Sequence, residues 1–250
     1  MADPRLAREA VGVTPRRHPV PVVQASAFRG FRFPPEAILL AVRWYLRFGL
    51  SSRDPEELLA ERAIQVDHLS PFRWGQRFPP PVIEAGRPWQ PAAGSRWLVD
   101  QTYLKVAGRW RYRYRAVDQH GQVIDVPLSA RGDVAAARRF LTAALASHPE
   151  PAEVVSDLAP ALAQVIADLL AEVFPNTRCH ANNPLECDHA RLKARLRPMR
   201  GLNTDRTAGV VVRGHAFIQH LRRHHYQLGT YGAAAQLTVA AAFDELARAM

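Results

Sequence analysis

The sequence predicts an α+β fold in which a helical segment precedes a domain built on a mixed sheet. Apolar residues recur at helical spacing through most of 36–78. After the proline-rich stretch 79–94, apolar and polar residues alternate through 96–118, which is the period of a strand. Helical spacing returns from about residue 133. This change of period between the two halves is typical of the α+β class.

The charge balance indicates a polyanionic partner. The chain has 33 basic and 23 acidic residues, which gives a net charge of +10. No apolar run approaches the ~20 residues needed to span a bilayer, so a nucleic acid is a better partner than a membrane. Two cysteines cannot build a disulfide framework, and the N-terminus does not have the order of a signal peptide. We therefore expect a cytoplasmic, nucleoid-associated protein.

The N-terminal third is expected to contain the DNA-binding segment. Residues 1–32 combine prolines with scattered arginines and predict a basic flexible arm. Residues 33–78 predict three helices with a tight turn before the last, as in a helix-turn-helix, although small three-helix units also occur without DNA. Arg73 and Arg77 of the last helix are the expected DNA contacts. The prolines of 79–94 predict an irregular linker.

The remainder of the chain predicts a catalytic domain at 95–230 and a C-terminal helix at 231–250. Strands are expected at 96–106, 109–118, 123–128 and 153–156, with helices at 133–147, 159–172, from about 184, and across 206–226 and 234–249. The order βββαβ followed by helices is that of RNase H-like folds, although other α/β folds share it. The strand aromatics are expected in the core: Trp97, Trp110, Tyr112 and Tyr114.

Three acids are candidates for a metal site. Asp100 interrupts an apolar strand, and a carboxylate is costly to bury there unless something pairs with it. Asp157 ends the fourth strand, and Glu186 lies in the first turn of a helix. The sequence also allows Asp157 to be a helix cap and Glu186 to interact only with the helix dipole. If the three converge, their repulsion requires a cation, and we expect Mg²⁺ or Mn²⁺, with two ions at the site.

A basic segment follows Glu186. Lys193 is seven residues further on, which returns it to the same face of a helix two turns along. Residues 187–226 contain nine basic residues against two acids. A charge run is often only a solvated face, but this one adjoins the candidate site, and we expect DNA-backbone contacts. The candidates are Arg191, Lys193, Arg195, Arg197 and Arg200.

The chain resembles the DDE transposases of bacterial insertion sequences, specifically the IS-six family, over roughly 36–246. The matching segments are AVRWY at 41–45, ELLAER at 57–62, VDH at 66–68, VDQTYLKV at 99–106, YRAVD at 114–118, NNPLECDH at 182–189, RLKAR at 191–195 and RPMRG at 197–201. The resemblance implies that Asp100, Asp157 and Glu186 form the DDE triad and that Lys193 is the basic residue that follows its glutamate. It also implies binding to double-stranded DNA at the element ends and target, strand transfer, and a homodimer or larger assembly.

The sequence departs from the family pattern at Gln101, Leu158, Leu162 and Pro71. The family has Glu, a basic residue, Tyr and an aliphatic residue at these positions. Gln101 and Leu158 are expected beside the metal ligands, and Pro71 kinks the third helix unless it lies in the first turn. Two alternatives therefore remain: a catalytically impaired DNA-binding relic or repressor of the element, and an RNase H-like ribonuclease, which does not need the N-terminal helices.

Overall fold

The computed structural model describes residues 26–51, 53–156, 159–171, 173–176, 183–197, 199, 202–229 and 235–250, with the backbone alone at 174–176 and 183–189. The helices are α1 Pro35–Arg47, α2 Arg53–Ala60, α3 Leu69–Arg77, α4 Pro79–Gly86, α5 Val134–Ser147, α6 Pro160–Leu169, α7 Asn183–Leu196, α8 Asp205–Arg222 and α9 Thr238–Ala249. The strands are β1 Arg96–Val106, β2 Arg109–Asp118, β3 Val123–Asp125, β4 Leu128–Ser129, β5 Glu153–Ser156 and β6 Phe174–Asn176.

The strands form one mixed sheet in the order β3-β2-β1-β5-β6, with β4 also paired to β2. β1, β2 and β3 form an antiparallel meander, whereas β5 and β6 run parallel to β1. A two-residue turn at Ala107 and Gly108, both with positive φ, joins β1 to β2 and suits the twist of a hairpin. This topology confirms the predicted α+β class and its RNase H-like sheet.

The two faces of the sheet are covered by different helices. One face packs on α5 and α6 through a buried cluster that includes Trp97, Val99 and Tyr114. The other face contributes Leu104 to a cluster with Leu192 of α7 and Val212 of α8. Because side chains alternate along a strand, the odd-numbered residues of β1 face α5 and α6, and the even-numbered residues face α7 and α8.

The N-terminal and C-terminal helices share one core. α1 packs against α3, α8 and α9, and a single buried cluster includes Ile38, Trp74, Phe217 and Phe243. Val106 at the end of β1 belongs to the same cluster, so the helical body is continuous with the sheet. The predicted segments 33–78 and 231–250 are therefore not independently packed units.

The expected irregular linker at 79–94 is wrong, because it begins with helix α4 and continues with a 3₁₀ turn at Arg87–Trp89. Pro79, Pro80 and Pro81 occupy the first three positions of α4, where backbone N–H groups have no partner within the helix. A proline run can therefore start a helix that it could not continue. Val82, buried in the helical core, fixes α4 in place.

The end of the predicted flexible arm is ordered. Phe28 is buried, and its ring stacks on that of Phe78 with centroids 5.0 Å apart, while Phe31 contacts Phe78 edge-on. Two aromatic anchors of this kind are enough to hold a short segment on a core. The expectation of a flexible arm is therefore wrong for 26–32, and residues 1–25 lie outside the described part of the chain.

Pro71 does not kink the third helix. It is the third residue of α3, where its missing N–H would have had no helical partner. The carboxylate of Asp67 instead accepts from the N–H groups of Leu69 and Ser70 at 2.8 and 2.9 Å. Asp67 thus satisfies the start of the helix, and the departure at Pro71 costs no hydrogen bond.

Candidate active site

Asp100 lies in the interior of β1 on the face that α7 and α8 cover. It is 5% exposed, and its cross-strand neighbour on β2 is Arg115, which is 1% exposed. The Nε and Nη2 groups of Arg115 donate to the two carboxylate oxygens, each over 3.4 Å. Arg115 therefore supplies the compensating charge that the buried carboxylate of Asp100 needs.

The backbone around Asp100 is consistent with further acids nearby. Val99 pairs with Ser156, the last residue of β5, in the parallel register. Asp157 follows Ser156 in the sequence but lies outside the described residues, as does Leu158. α7 begins at Asn183 and contains Glu186, whose side chain is not described. The convergence of the three carboxylates therefore stays a prediction.

Helix α7 lies on the same face of the sheet as Asp100. Leu192 of α7 is buried with Leu104 of β1, four residues along the strand from Asp100 and on the same side. Lys193, the next residue of α7, is exposed. The helix that carries Glu186 and Lys193 is thus positioned over the strand that carries Asp100.

Among the described residues, no three His, Cys, Asp or Glu side chains come together as a metal site. Asp157 and the side chain of Glu186 are not among them, so the donor chemistry must be judged on Asp100. Its carboxylate is held by a cation on one side and presents hard oxygen atoms of the type that Mg²⁺ binds. The residue fits a divalent metal.

The side chains of Gln101 and Asp100 lie on opposite faces of β1. Gln101 occupies the α5 and α6 face of β1, opposite Tyr114, and its amide nitrogen lies near Gly132. The side chain of Gln101 therefore does not adjoin that of Asp100, contrary to expectation, because neighbours on a strand point to opposite faces. Leu162, another departure from the family pattern, is fully buried in the core between α6 and the sheet, where an apolar side chain fits.

The predicted DNA contacts fall into two groups. Arg73 and Arg77 are exposed on α3, and Arg191, Lys193 and Arg197 are exposed on or just after α7. These five side chains are accessible to a phosphate. Arg200 lies outside the described residues.

Arg195 is buried and makes intramolecular contacts. Its guanidinium donates to the backbone carbonyls of Tyr45 and Phe48 at the C-terminal end of α1, and it lies 5.8 Å from the centre of the Tyr45 ring. Burial lowers the pKa of Arg195 to about 10. A cation at the end of a helix satisfies carbonyls that lack partners and complements the helix dipole. Arg195 therefore joins α7 to α1, and the expectation that it contacts DNA is wrong.

Three arginines follow one face of β2, and the sequence interpretation did not use them. They are Arg111, Arg113 and Arg115, and they alternate along the strand with aromatic residues and, after Arg115, with Ala116. Arg111 forms an ion pair with Asp205 at the start of α8, over 2.7 Å, which lowers the pKa of Asp205. Arg113 and Arg115 are buried. The two-residue period of β2 and the tight turn at Gly108 are the sequence features from which the pairing of Arg115 with Asp100 could have been predicted.

Comparison with known proteins identifies the class of this chain. A family model described as a DDE domain matches residues 94–225, more than half of the chain. The transposase for the insertion sequence-like element IS431mec of Staphylococcus aureus is 32% identical over 182 residues, which cover 71% of this chain and 81% of that protein. The transposase for insertion sequence element IS257 in transposon Tn4003 of Staphylococcus aureus matches to the same extent. The chain belongs to the DDE transposases of insertion sequences, in the IS-six family.

Two solved structures also align with the chain. The dimeric HTLV-2 integrase catalytic core domain in complex with magnesium is 14% identical, with a TM-score of 0.39, over 59% of this chain and 96% of that one. A simian T-cell lymphotropic virus intasome chain is 17% identical, with a TM-score of 0.41, and the alignment spans 55% of its length. Within the described part of this chain, no helix is long and apolar enough to cross a membrane.

Proposed function

We propose that the chain binds the terminal inverted repeats of its insertion sequence and catalyses metal-dependent DNA cleavage and strand transfer. The observation that carries the proposal is Asp100, a buried carboxylate in the interior of the central strand, under the helix that contains Glu186. Membership of the DDE transposases supports the same chemistry. The products would be a freed 3′-hydroxyl at the element end and then a new phosphodiester bond to target DNA.

Asp100, Asp157 and Glu186 are the residues that would hold divalent metal, as Mg²⁺ or Mn²⁺ in one or two ions. Such ions polarise the phosphoryl group and stabilise the attacking and leaving oxygens. Arg115 would fix the carboxylate of Asp100 in one orientation, because a planar guanidinium binds both oxygens at once. Lys193, exposed on α7, would hold a DNA phosphate close to the reacting one.

The DNA interface would include two exposed basic surfaces. Arg73 and Arg77 on α3 would contact the terminal repeat, and the residues of the α7 surface would contact the backbone near the cleaved bond. The α7 surface comprises Arg191, Lys193 and Arg197, which directly follows the helix. Arg200, three residues further along the sequence, is proposed as an additional DNA contact. We also propose that the chain works as a homodimer or larger assembly, because joining two DNA molecules requires both to be held together. The protein would act in the cytoplasm, on element DNA in the nucleoid.

Replacing Arg73 and Arg77 with Ala is expected to weaken binding to terminal-repeat DNA at least about tenfold and to lower the salt slope by roughly 2. Each phosphate contact that is lost leaves about one more counterion bound to the DNA. Fluorescence anisotropy at several salt concentrations measures both quantities. The matched control replaces Arg139 and Arg248, which are exposed on α5 and α9. An unchanged slope in the Arg73 and Arg77 variant would show that α3 does not contact DNA.

Arg195→Leu is expected to lower stability by about 2 kcal/mol, since two carbonyls at the end of α1 lose a charged donor. The melting temperature should fall by roughly 4–8 °C. DNA affinity of the folded protein should stay the same. Arg197→Ala, on the exposed side, should do the reverse and weaken DNA binding without changing the melting temperature. If Arg195→Leu weakens DNA binding at an unchanged melting temperature, its structural role is refuted.

The proposed chemistry is tested by the choice of substrate. We expect the chain to nick duplexes that carry the native element ends, in the presence of Mg²⁺ or Mn²⁺, and to leave a 3′-hydroxyl. An RNA–DNA hybrid of equal length should remain intact. Cleavage of the hybrid in preference to the element ends would instead establish a ribonuclease.

A further inference from the structure

The far end of the β1–β2 hairpin has an exposed aromatic surface. Tyr103 is 54% and Trp110 is 62% exposed, so the expectation that Trp110 lies in the core is wrong. The register pairs Tyr103 with Tyr112 and Lys105 with Trp110, so all four side chains lie on one face of the hairpin. The buried neighbours Trp97 and Tyr114 pack against α5 and α6, but the hairpin continues past that cluster. The aromatic patch is defined as Tyr103, Lys105, Trp110, Tyr112 and Arg131. Tyr112 is half-buried, and the other four side chains are exposed to solvent.

The rings of the aromatic patch are held in place by one another. Tyr103 contacts Trp110 edge-on with centroids 6.5 Å apart and Tyr112 at 5.2 Å. A loop at Gly132 lies directly on the Tyr112 ring, where a side-chain Cβ would come within 2.2 Å. Aromatic side chains fixed in this way bind a flat ligand with little loss of entropy. The patch is a preformed surface.

Two cations accompany the rings. The ammonium of Lys105 lies 5.8 Å from the centre of the Trp110 ring. Arg131 is exposed and directly precedes Gly132, which lies against the Tyr112 ring. The adjacent acid, Asp133, is engaged as the cap of α5, where it accepts from Ala136. Exposed aromatics beside lysine and arginine form the surface that single-stranded nucleic acid uses, with bases on the rings and phosphates on the cations. Two copies docked patch to patch would instead bring like charges together.

We propose that the aromatic patch binds unpaired bases of DNA, which stack on Trp110 and Tyr103 while Lys105 and Arg131 hold the neighbouring phosphates. Tyr103 is on the opposite face of β1 from Asp100, and the two are three residues apart, about 10 Å along the strand. The patch would therefore hold a strand that leaves the reaction site, not the reacting phosphate itself. This proposal deepens the proposed function by adding a second type of DNA contact.

The test is binding of the full chain to a 16-nucleotide oligodeoxythymidine, followed by fluorescence anisotropy. Trp110→Leu keeps apolar bulk but removes the flat ring, and should weaken binding at least about tenfold. Trp110→Phe keeps a ring and should bind within about threefold of the parent. The control is Leu237→Ala, at an exposed apolar side chain outside the patch, which should bind as the parent does. Because Trp110 is exposed, these variants should melt at the parent's temperature.

Several outcomes would overturn the proposal. One is parental affinity in Trp110→Leu, and another is equal weakening in Trp110→Leu and Trp110→Phe, which would exclude stacking. Loss of self-association in Trp110→Leu, with oligodeoxythymidine binding unchanged, would show that the patch binds a second copy of the chain. The assay needs neither element ends nor metal, so its result is separate from the failure or success of the proposed cleavage chemistry.

Discussion

Asp100→Asn is expected to eliminate strand joining and to destabilise the protein in the same variant. Asparagine keeps the shape of the side chain but loses the charge that a metal and Arg115 both require. Losing several kcal/mol of transition-state stabilisation corresponds to a rate on the order of 10³-fold lower. Breaking a buried ion pair costs about 3 kcal/mol, because it leaves a buried charge poorly compensated. The melting temperature should therefore fall by roughly 6–12 °C.

A double variant separates the two effects. Combining Asp100→Asn with Arg115→Gln removes both charges, so most of the lost stability should return while strand joining remains absent. Thermal unfolding and joining are measured on the same preparations. Parental joining by Asp100→Asn would refute its catalytic role. A double variant as unstable as the single one would show that the Asp100–Arg115 pair does not stabilise the fold.

Glu186→Gln is expected to abolish strand joining, by roughly 10³-fold or more, while DNA binding stays nearly intact. The substitution removes a charge from the metal site but keeps the length and shape of the side chain. Mg²⁺-dependent thermal stabilisation should fall with it, which gives a readout independent of activity. The control is Glu150→Gln, at an exposed residue before β5, which should join DNA as the parent does.

Lys193→Ala should cause a different type of defect from Glu186→Gln. It should reduce joining by weakening the position of the DNA, and leave the stabilisation by Mg²⁺ unchanged. If Glu186→Gln joins DNA at the parent's rate, the assignment of Glu186 to the triad is refuted. If Lys193→Ala loses the Mg²⁺ effect, Lys193 supports the metal site itself instead of the DNA.

The central strands could be predicted from the sequence to the residue. β1, β2 and β5 have the expected bounds. β1 and β2 have a two-residue period, β5 is a short apolar run, and each strand ends at a turn signal or an acid. Helix α5 begins after Asp133 as expected, since that side chain caps the helix by accepting from Ala136. Strong local signals of this kind do not depend on what packs against them.

The packing of the helices could not be predicted in this way. Helix α4 begins with three prolines, and only burial of Val82 in a core shared with distant helices shows why it forms. β6 has three residues, two of which, Pro175 and Asn176, are poor strand formers, and it exists because it pairs with β5. Such elements form because of tertiary contacts, and these contacts cannot be read from a local sequence pattern.

The candidate site was partly accessible from the sequence. Asp100 was identified because a strand-interior acid has no capping role, and the structure supplies its partner in Arg115. Gln101 and Asp100 point to opposite faces of β1 because side chains alternate along a strand. This alternation could be predicted from the sequence, but matching a continuous motif to a family does not take it into account. Arg195 could not be distinguished from its exposed neighbours, because its burial depends on the carbonyls at the end of α1. The positions of Asp157 and Glu186 relative to Asp100 stay predictions.

The most direct test of the transposase mechanism is strand joining by the unmodified full chain. Duplexes with the native element ends are incubated with a supercoiled target in Mg²⁺ or in EDTA, and DNA binding is measured in parallel. We predict joined products with Mg²⁺ and none with EDTA. Binding without joining, combined with joining after Gln101→Glu and Leu158→Arg, would identify this chain as an impaired copy. A chain that binds the ends but does not join them even after those substitutions would contradict the catalytic mechanism proposed for it.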